Sequence, residues 1–226
     1  MKKIKPVNCA ECCFGDVCHA YLFDRQEPMF IGDLSRKKSI AKGEYIYRRG
    51  EPVKALFALR SGIAKVYDAD GMLQGIVLPG QVIGVDELFV PYYHYDVQAA
   101  CDVEVCELQN RHFYQISQIT TDFTNFIIKI LSRSAREKQR FIAVLVQSDG
   151  LQKVRHFLQL LSELNLEYGF EHRNITLPIH KKELAQLLGI SISTLARALD
   201  TLVEQQVVTV HKKDIVLLEA KMNTND

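Results

Sequence analysis

Residues 121–147 contain neither proline nor glycine, whereas residues 36–108 carry glycine at 43, 50, 62, 71, 75, 80 and 84. No single regular element survives that change of punctuation. The chain must pass from short, turn-bounded strands into one long helix, and 226 residues leave room for a further domain beyond it. Within the first region, residues 44–47, 55–59, 63–67, 73–78, 95–100 and 103–108 are apolar or alternating runs between turn residues. Regular short strands of this kind predict a jelly roll or a barrel. Asp68-Ala69-Asp70-Gly71 predicts a hairpin turn, because Asp and Gly tolerate left-handed dihedrals.

Along the helix, apolar residues recur at Phe123, Ile127, Ile130, Leu131, Phe141, Ile142 and Leu145. Ser134 and Lys138 fall on the same stripe, where Leu or Ile would give a firm seam. Such a stripe serves either as the core helix of a monomer or as a parallel dimer helix with a weak centre. The length and the charged flank favour the dimer, paired through Ile127, Leu131, Ala135, Lys138, Phe141, Ile142 and Leu145. Ser148-Asp149-Gly150 ends the helix.

Beyond it, residues 151–168 read as a helix and 174–177 as a short strand. Two helices then flank a turn at Gly189: the first starts at Lys181, and Ser191 is placed to cap the second. Small Ala185 permits close approach, and Leu184, Leu188, Ile190, Leu195 and Leu199 supply a shared core. Residues 207–210 and 215–218 look like a two-stranded wing. This pattern is a winged helix-turn-helix, a module that reads double-stranded DNA. Net charge is only +1, from 28 Lys+Arg and 27 Asp+Glu, so a DNA footprint has to be local. Lys181, Lys182, His211, Lys212 and Lys213 are the candidate phosphate contacts.

The N-terminus adds Cys9-x2-Cys12-x5-Cys18. Three closely spaced thiolates suit zinc or an iron-sulfur centre and leave one ligand position to fill; Cys101 and Cys106 are both available. No apolar run is long enough to span a bilayer, and residues 1–13 lack the apolar core of a signal peptide. A cytoplasmic protein is expected, in which six cysteines bind metal or do redox chemistry more often than they form structural disulfides.

Taken in this order, the parts resemble the Crp/Fnr superfamily of bacterial transcription regulators, and within it the FNR oxygen sensors. The residues that carry the resemblance are the cysteine cluster; Ala58-Leu59-Arg60-Ser61-Gly62 with Lys65-x-Tyr67; Leu78-Pro79-Gly80 with Ile83-Gly84-x-Asp86; and Gln98-Ala99 leading to Val105-Cys106-Glu107. The resemblance implies an α+β chain in four parts. These are a cysteine-rich cluster-binding segment (1–22), a cyclic-nucleotide-binding-like β-roll sensor (23–120), a dimerisation helix (121–148) and a winged helix-turn-helix (149–226). It implies an oxygen-labile [4Fe-4S] cluster on Cys9, Cys12, Cys18 and Cys106, leaving Cys13 and Cys101 without a place. Strict strand alternation would put Cys101 and Cys106 on opposite faces, and a small buried hydrophobe is the better reading of Cys101.

By the same resemblance the cluster governs homodimer formation, and the dimer binds an inverted-repeat promoter site and contacts RNA polymerase. Candidate polymerase contacts are residues 51–54 and 68–72. DNA-facing positions are Ser191, Ser193, Thr194, Ala196 and Arg197, with Arg197 on the family arginine that reads guanine. Ser193 and Ala196 stand where FNR proteins carry glutamate and serine, which points to a different half-site. Lys138 stands where they carry an acidic residue. Cyclic-AMP receptors of the superfamily need an Arg-Ser pair for the phosphate; residues 92–97 here offer no arginine, so no cyclic nucleotide is expected, although Asp86 stands near the ribose carboxylate position. The alternatives are a purely structural zinc clip on the four cysteines, a dithiol-disulfide switch, or a response to nitric oxide or haem, with His19, His94 and His112 available as haem ligands but not singled out by spacing. No His-x-His or 2-His-1-carboxylate spacing appears among the strands, so an enzyme is not expected.

Overall fold

A computed structural model describes residues 35–112, 122–211 and 214–218. The chain divides into two compact units, Met1–Arg136 and Glu137–Asp226. The cut falls inside the long helix, so an element expected as a segment of its own is shared between the units.

In the first unit, strands β1 (Ser35–Ile40), β8 (Val103–Gln109), β3 (Ala55–Ser61) and β6 (Val82–Ile83) form one antiparallel sheet in the order β1-β8-β3-β6. A second holds β2 (Tyr45–Tyr47), β7 (Asp96–Ala99), β4 (Ala64–Tyr67) and β5 (Leu73–Val77) in the order β2-β7-β4-β5. This is the expected β-roll. β3 is apolar almost throughout because both of its faces are covered. Ala55, Phe57 and Leu59 enter the interior cluster with Val97, Val103 and Val105. The alternate residues Leu56 and Ala58 meet Cys106, Leu108, Phe126 and Ile130 on the outer face. The hairpin at Asp68 also forms, with its carboxylate accepting from the amides of Asp70 and Met72 at 2.9 Å each.

The long helix, α1 (Asp122–Leu145), lays Phe126 and Ile130 on that outer face, with Ile127 and the short 3-10 turn at Val85–Glu87 alongside. Burying two such side chains contributes about 3–6 kcal/mol, enough to fix the start of the helix on the sheet.

In the second unit, α2 (Gly150–Glu167) is capped by Asp149, whose side chain accepts from the Gln152 amide at 3.1 Å. It buries Val154, Phe157, Leu158, Leu160, Leu161 and Leu164. α3 (Lys181–Leu187) and α4 (Ile192–Glu204) follow around Gly189, whose φ of +63° is the left-handed conformation that glycine accepts without strain. Leu184, Leu188, Leu195 and Leu199 are buried as expected, and Ile190 half-buried. The wing is β10 (Val208–His211) with β11 (Asp214–Leu217). It gains a third antiparallel strand, β9 (Asn174–Thr176), in the order β10-β11-β9.

Candidate nucleic-acid interface and the buried cysteine

The first turn of α4 is built from hydroxyls. Ser191 accepts from the Thr194 amide at 3.0 Å and so caps the helix, while its Oγ lies 2.8 Å from both Ser193 Oγ and Thr194 Oγ1. Arg197 is exposed, with its guanidinium lying back over this turn: Nε donates to the Ser193 carbonyl at 3.4 Å and Nη2 to Thr194 Oγ1 at 3.5 Å. Contacts that long are weak, so the side chain is free to extend toward a base edge. Ser191 and Ser193 are exposed, whereas Thr194 and Ala196 are half-buried. The structure adds Ile192, the first residue of α4 and 50% exposed, which the apolar pattern alone had not set apart from core positions.

Two features hold this helix start in place. A Cβ on Gly150 would come within 2.5 Å of Thr194 Cγ2, so the beginning of α2 presses on the first turn of α4 through a glycine. Glu183 accepts from the His180 amide at 2.9 Å, which fixes the entry to α3, where Lys181 and Lys182 are exposed. His211 is exposed on β10; Lys212 and Lys213 lie outside the described residues. An exposed helix N-terminus with hydroxyl and guanidinium donors beside exposed lysines is a surface complementary to a phosphate backbone and a groove floor.

Of the expected cluster ligands, Cys9, Cys12 and Cys18 lie outside the described residues, as do Cys13 and His19. Cys106 is 8% exposed and sits on β8 opposite Lys37 of β1 and Ala58 of β3. Its neighbours in the outer cluster include Phe126 and Ile130 of α1. β1 begins at Ser35 opposite Leu108, two residue pairs along the strand from Cys106. A cysteine sulfur on a fixed strand is the donor type that a thiolate-ligated cluster takes, and Cys106 fits one such ligand position. Among the described residues, no group of three or more His, Cys, Asp or Glu is arranged to hold a metal. Cys101 is buried, and its Sγ accepts from the Ile63 amide at 3.3 Å. Burial pushes its thiol up from the ordinary range, although that amide pulls the other way.

The interior of the β-roll is occupied by its own aromatic side chains. Tyr47 and Tyr93 stack there, and the Tyr93 hydroxyl donates to the Ala55 carbonyl at 2.8 Å. Glu87 is 3% exposed; it accepts from the His94 amide at 3.0 Å and lies 2.7 Å from His94 Nδ1. The segment that would hold a cyclic phosphate is thus tied to the roll by a carboxylate, a histidine and a phenol.

On α1, Leu131, Ala135, Lys138 and Ile142 are exposed and Leu145 is half-buried. Ile127 and Phe141 turn toward their own chain: Ile127 against the outer cluster, Phe141 edge-on to Phe157 with centroids 6.1 Å apart. Ile128, which the stripe left out, is 58% exposed and continues the outward row. Ile128, Leu131, Ala135, Lys138, Ile142 and Leu145 alternate by three and four residues, the spacing of a two-helix seam.

The sequence matches the cyclic nucleotide-binding domain over residues 37–119 and the Crp-like helix-turn-helix domain over residues 152–222. It is 26% identical over 218 residues to electron transport regulator A of Shewanella oneidensis, covering 94% of this chain and 87% of that one. It is 23% identical over 221 residues to the transcriptional activator protein FnrA of Stutzerimonas stutzeri, covering 96% and 91%. The fold is shared with FixK2 from Bradyrhizobium japonicum, with a TM-score of 0.70 at 21% identity over 81% of this chain and 92% of that one. No described helix is long and apolar enough to cross a membrane. A β-roll followed by a winged helix-turn-helix, matched by both domain families and by regulators along nearly its whole length, makes the chain a DNA-binding transcription regulator of the Crp/Fnr superfamily.

Proposed function

We propose that this regulator responds to oxygen through a [4Fe-4S] cluster held by Cys9, Cys12, Cys18 and Cys106, and that the cluster controls homodimer formation and binding to an inverted-repeat promoter site. The observation that carries the reading is the packing of Cys106 against Phe126 and Ile130 at the start of α1. An event at this sulfur reaches the pairing helix through the buried cluster that the two share. Relatives named for anaerobic regulation and for fumarate and nitrate reduction support the choice of signal. Such a cluster, when bound, supplies a redox- and oxygen-sensitive link among four thiolates.

The chain's own residues do the rest. Through the cluster, Cys106 ties the three N-terminal cysteines to β8, the strand paired with β1. Phe126 and Ile130 hold α1 against the same face. The outward row from Ile128 to Leu145 pairs with its copy, and Lys138 keeps that pairing marginal by placing a charge in the seam. Each recognition helix then reads one half-site through Arg197, Ser193 and Ile192, with Ser191 and Thr194 divided between capping and phosphate contact. The protein works in the cytoplasm, where RNA polymerase is its partner on the promoter.

The test is operator binding by the Cys106→Ser protein under strict anoxia, with Cys101→Ser as the control. Loss of binding in the first and retention in the second is expected. Unchanged binding by Cys106→Ser would falsify the coupling.

A further inference from the structure

The last turns of α1 are fastened to α2 and its C-cap by side-chain contacts within the second unit. Arg140 Nη2 lies 2.7 Å from Glu163 Oε2, and Nη1 lies 2.7 Å from Glu167 Oε1. One guanidinium fork therefore spans two carboxylates a helical turn apart on α2, a geometry that a single ammonium group cannot reproduce. Glu163 is itself held, because Gln159 Nε2 donates to its Oε1 at 2.9 Å. The Tyr168 hydroxyl donates to Glu137, and Phe141 meets Phe157 edge-on with 64° between the rings. The division of the chain between Arg136 and Glu137 agrees: residues 137–145 of α1 belong with the DNA-binding unit.

We propose that Arg140 is a positioning residue for DNA recognition, making the end of α1 and the whole of α2 one rigid body whose pairing sets the separation of the two recognition helices. The inference rests on the proposed pairing of two chains along α1. Gly150 completes the path, since the start of α2 presses directly on the first turn of α4. Spacing set at the seam thus reaches Ser193 and Arg197 through packed elements, without crossing the loop that follows α1. If the clasp opens, each DNA-binding unit swings on that loop, and half-sites at several separations become reachable.

The experiment measures binding of full-length protein, purified without oxygen, to inverted repeats whose spacer varies one base pair at a time, and to a single half-site. Wild type should favour one spacing by about tenfold over its neighbours, because a shifted half-site must be reached by deforming the DNA. Arg140→Gln and, separately, Glu163→Gln should flatten that preference to about twofold, with single half-site affinity and dimer mass unchanged, and Arg140→Lys should restore part of it. A purely stabilising role would lower binding equally at every spacing; that result, or an unchanged preference in both variants, overturns the proposal. Should wild type bind no inverted repeat at all, the dimer reading itself fails, an outcome distinct from failure of the clasp.

Discussion

Tyr47 and Tyr93 lie face to face within the β-roll, their ring centroids 3.7 Å apart and their planes within 11°. The stack belongs to the buried interior of the roll, and residues 92–97 offer no arginine to balance a phosphate. Cyclic AMP at millimolar concentration should therefore leave the thermal midpoint unmoved. A ligand present at a hundred times its Kd would stabilise the fold by about 2.7 kcal/mol, and a rise of that size in scanning calorimetry would refute the exclusion.

The same pair predicts the alkaline limit of the domain. Burial, then the nearby Asp86 carboxylate, push the Tyr47 phenol well above its ordinary value near 10, and burial also raises Tyr93. The folded state thus keeps protons that the unfolded chain releases. Stability is fully present below pH 10 and falls as pH rises beyond it. Chemical denaturation at pH 9 and pH 11 should show the decline, and replacing Tyr47 with phenylalanine should reduce it.

In the proposed seam of α1, Lys138→Leu removes a like-charge pair that costs about 1 kcal/mol and adds apolar contact, so it should yield a dimer that persists in air. Sedimentation velocity decides the matter: a monomer under air would end this part of the account. Ile128→Ser should weaken dimerisation more than Ile127→Ser does, because Ile128 faces outward and Ile127 packs on its own sheet.

At the DNA surface, Arg197→Ala should cost about 1–3 kcal/mol on a specific site while leaving binding to random sequence nearly unchanged. Fluorescence anisotropy on both duplexes separates the two terms. Equal loss on each would mean that Arg197 contacts phosphate and reads no base.

Most of the fold was legible from punctuation. Glycines bounded the strands, their absence marked α1, and the apolar residues around Gly189 gave the helix-turn-helix. β1 escaped because Ser-Arg-Lys-Lys-Ser-Ile has no apolar alternation; it is an edge strand whose Lys37 and Lys38 are exposed, and Lys38 is further anchored by an ion pair to buried Glu107. β9 was seen as a strand, but its place beside the wing was not, since pairing partners leave no local mark. Ile128 was missed for a physical reason too. Two adjacent isoleucines point to different sides of a helix, and a single stripe cannot serve both the neighbouring sheet and a second chain. The hydroxyl cap at Ser191 was readable, because the need for an acceptor before the first turn is local.

In the proposed switch a labile iron-sulfur centre on Cys106 and three N-terminal cysteines governs DNA binding. The decisive measurement titrates air into anaerobically purified full-length protein while following visible absorbance and operator binding together. A brown protein carrying about four iron and four sulfide per chain, which bleaches and releases its operator in step, is the predicted result. A colourless protein, or one that bleaches while still holding the operator, would contradict it.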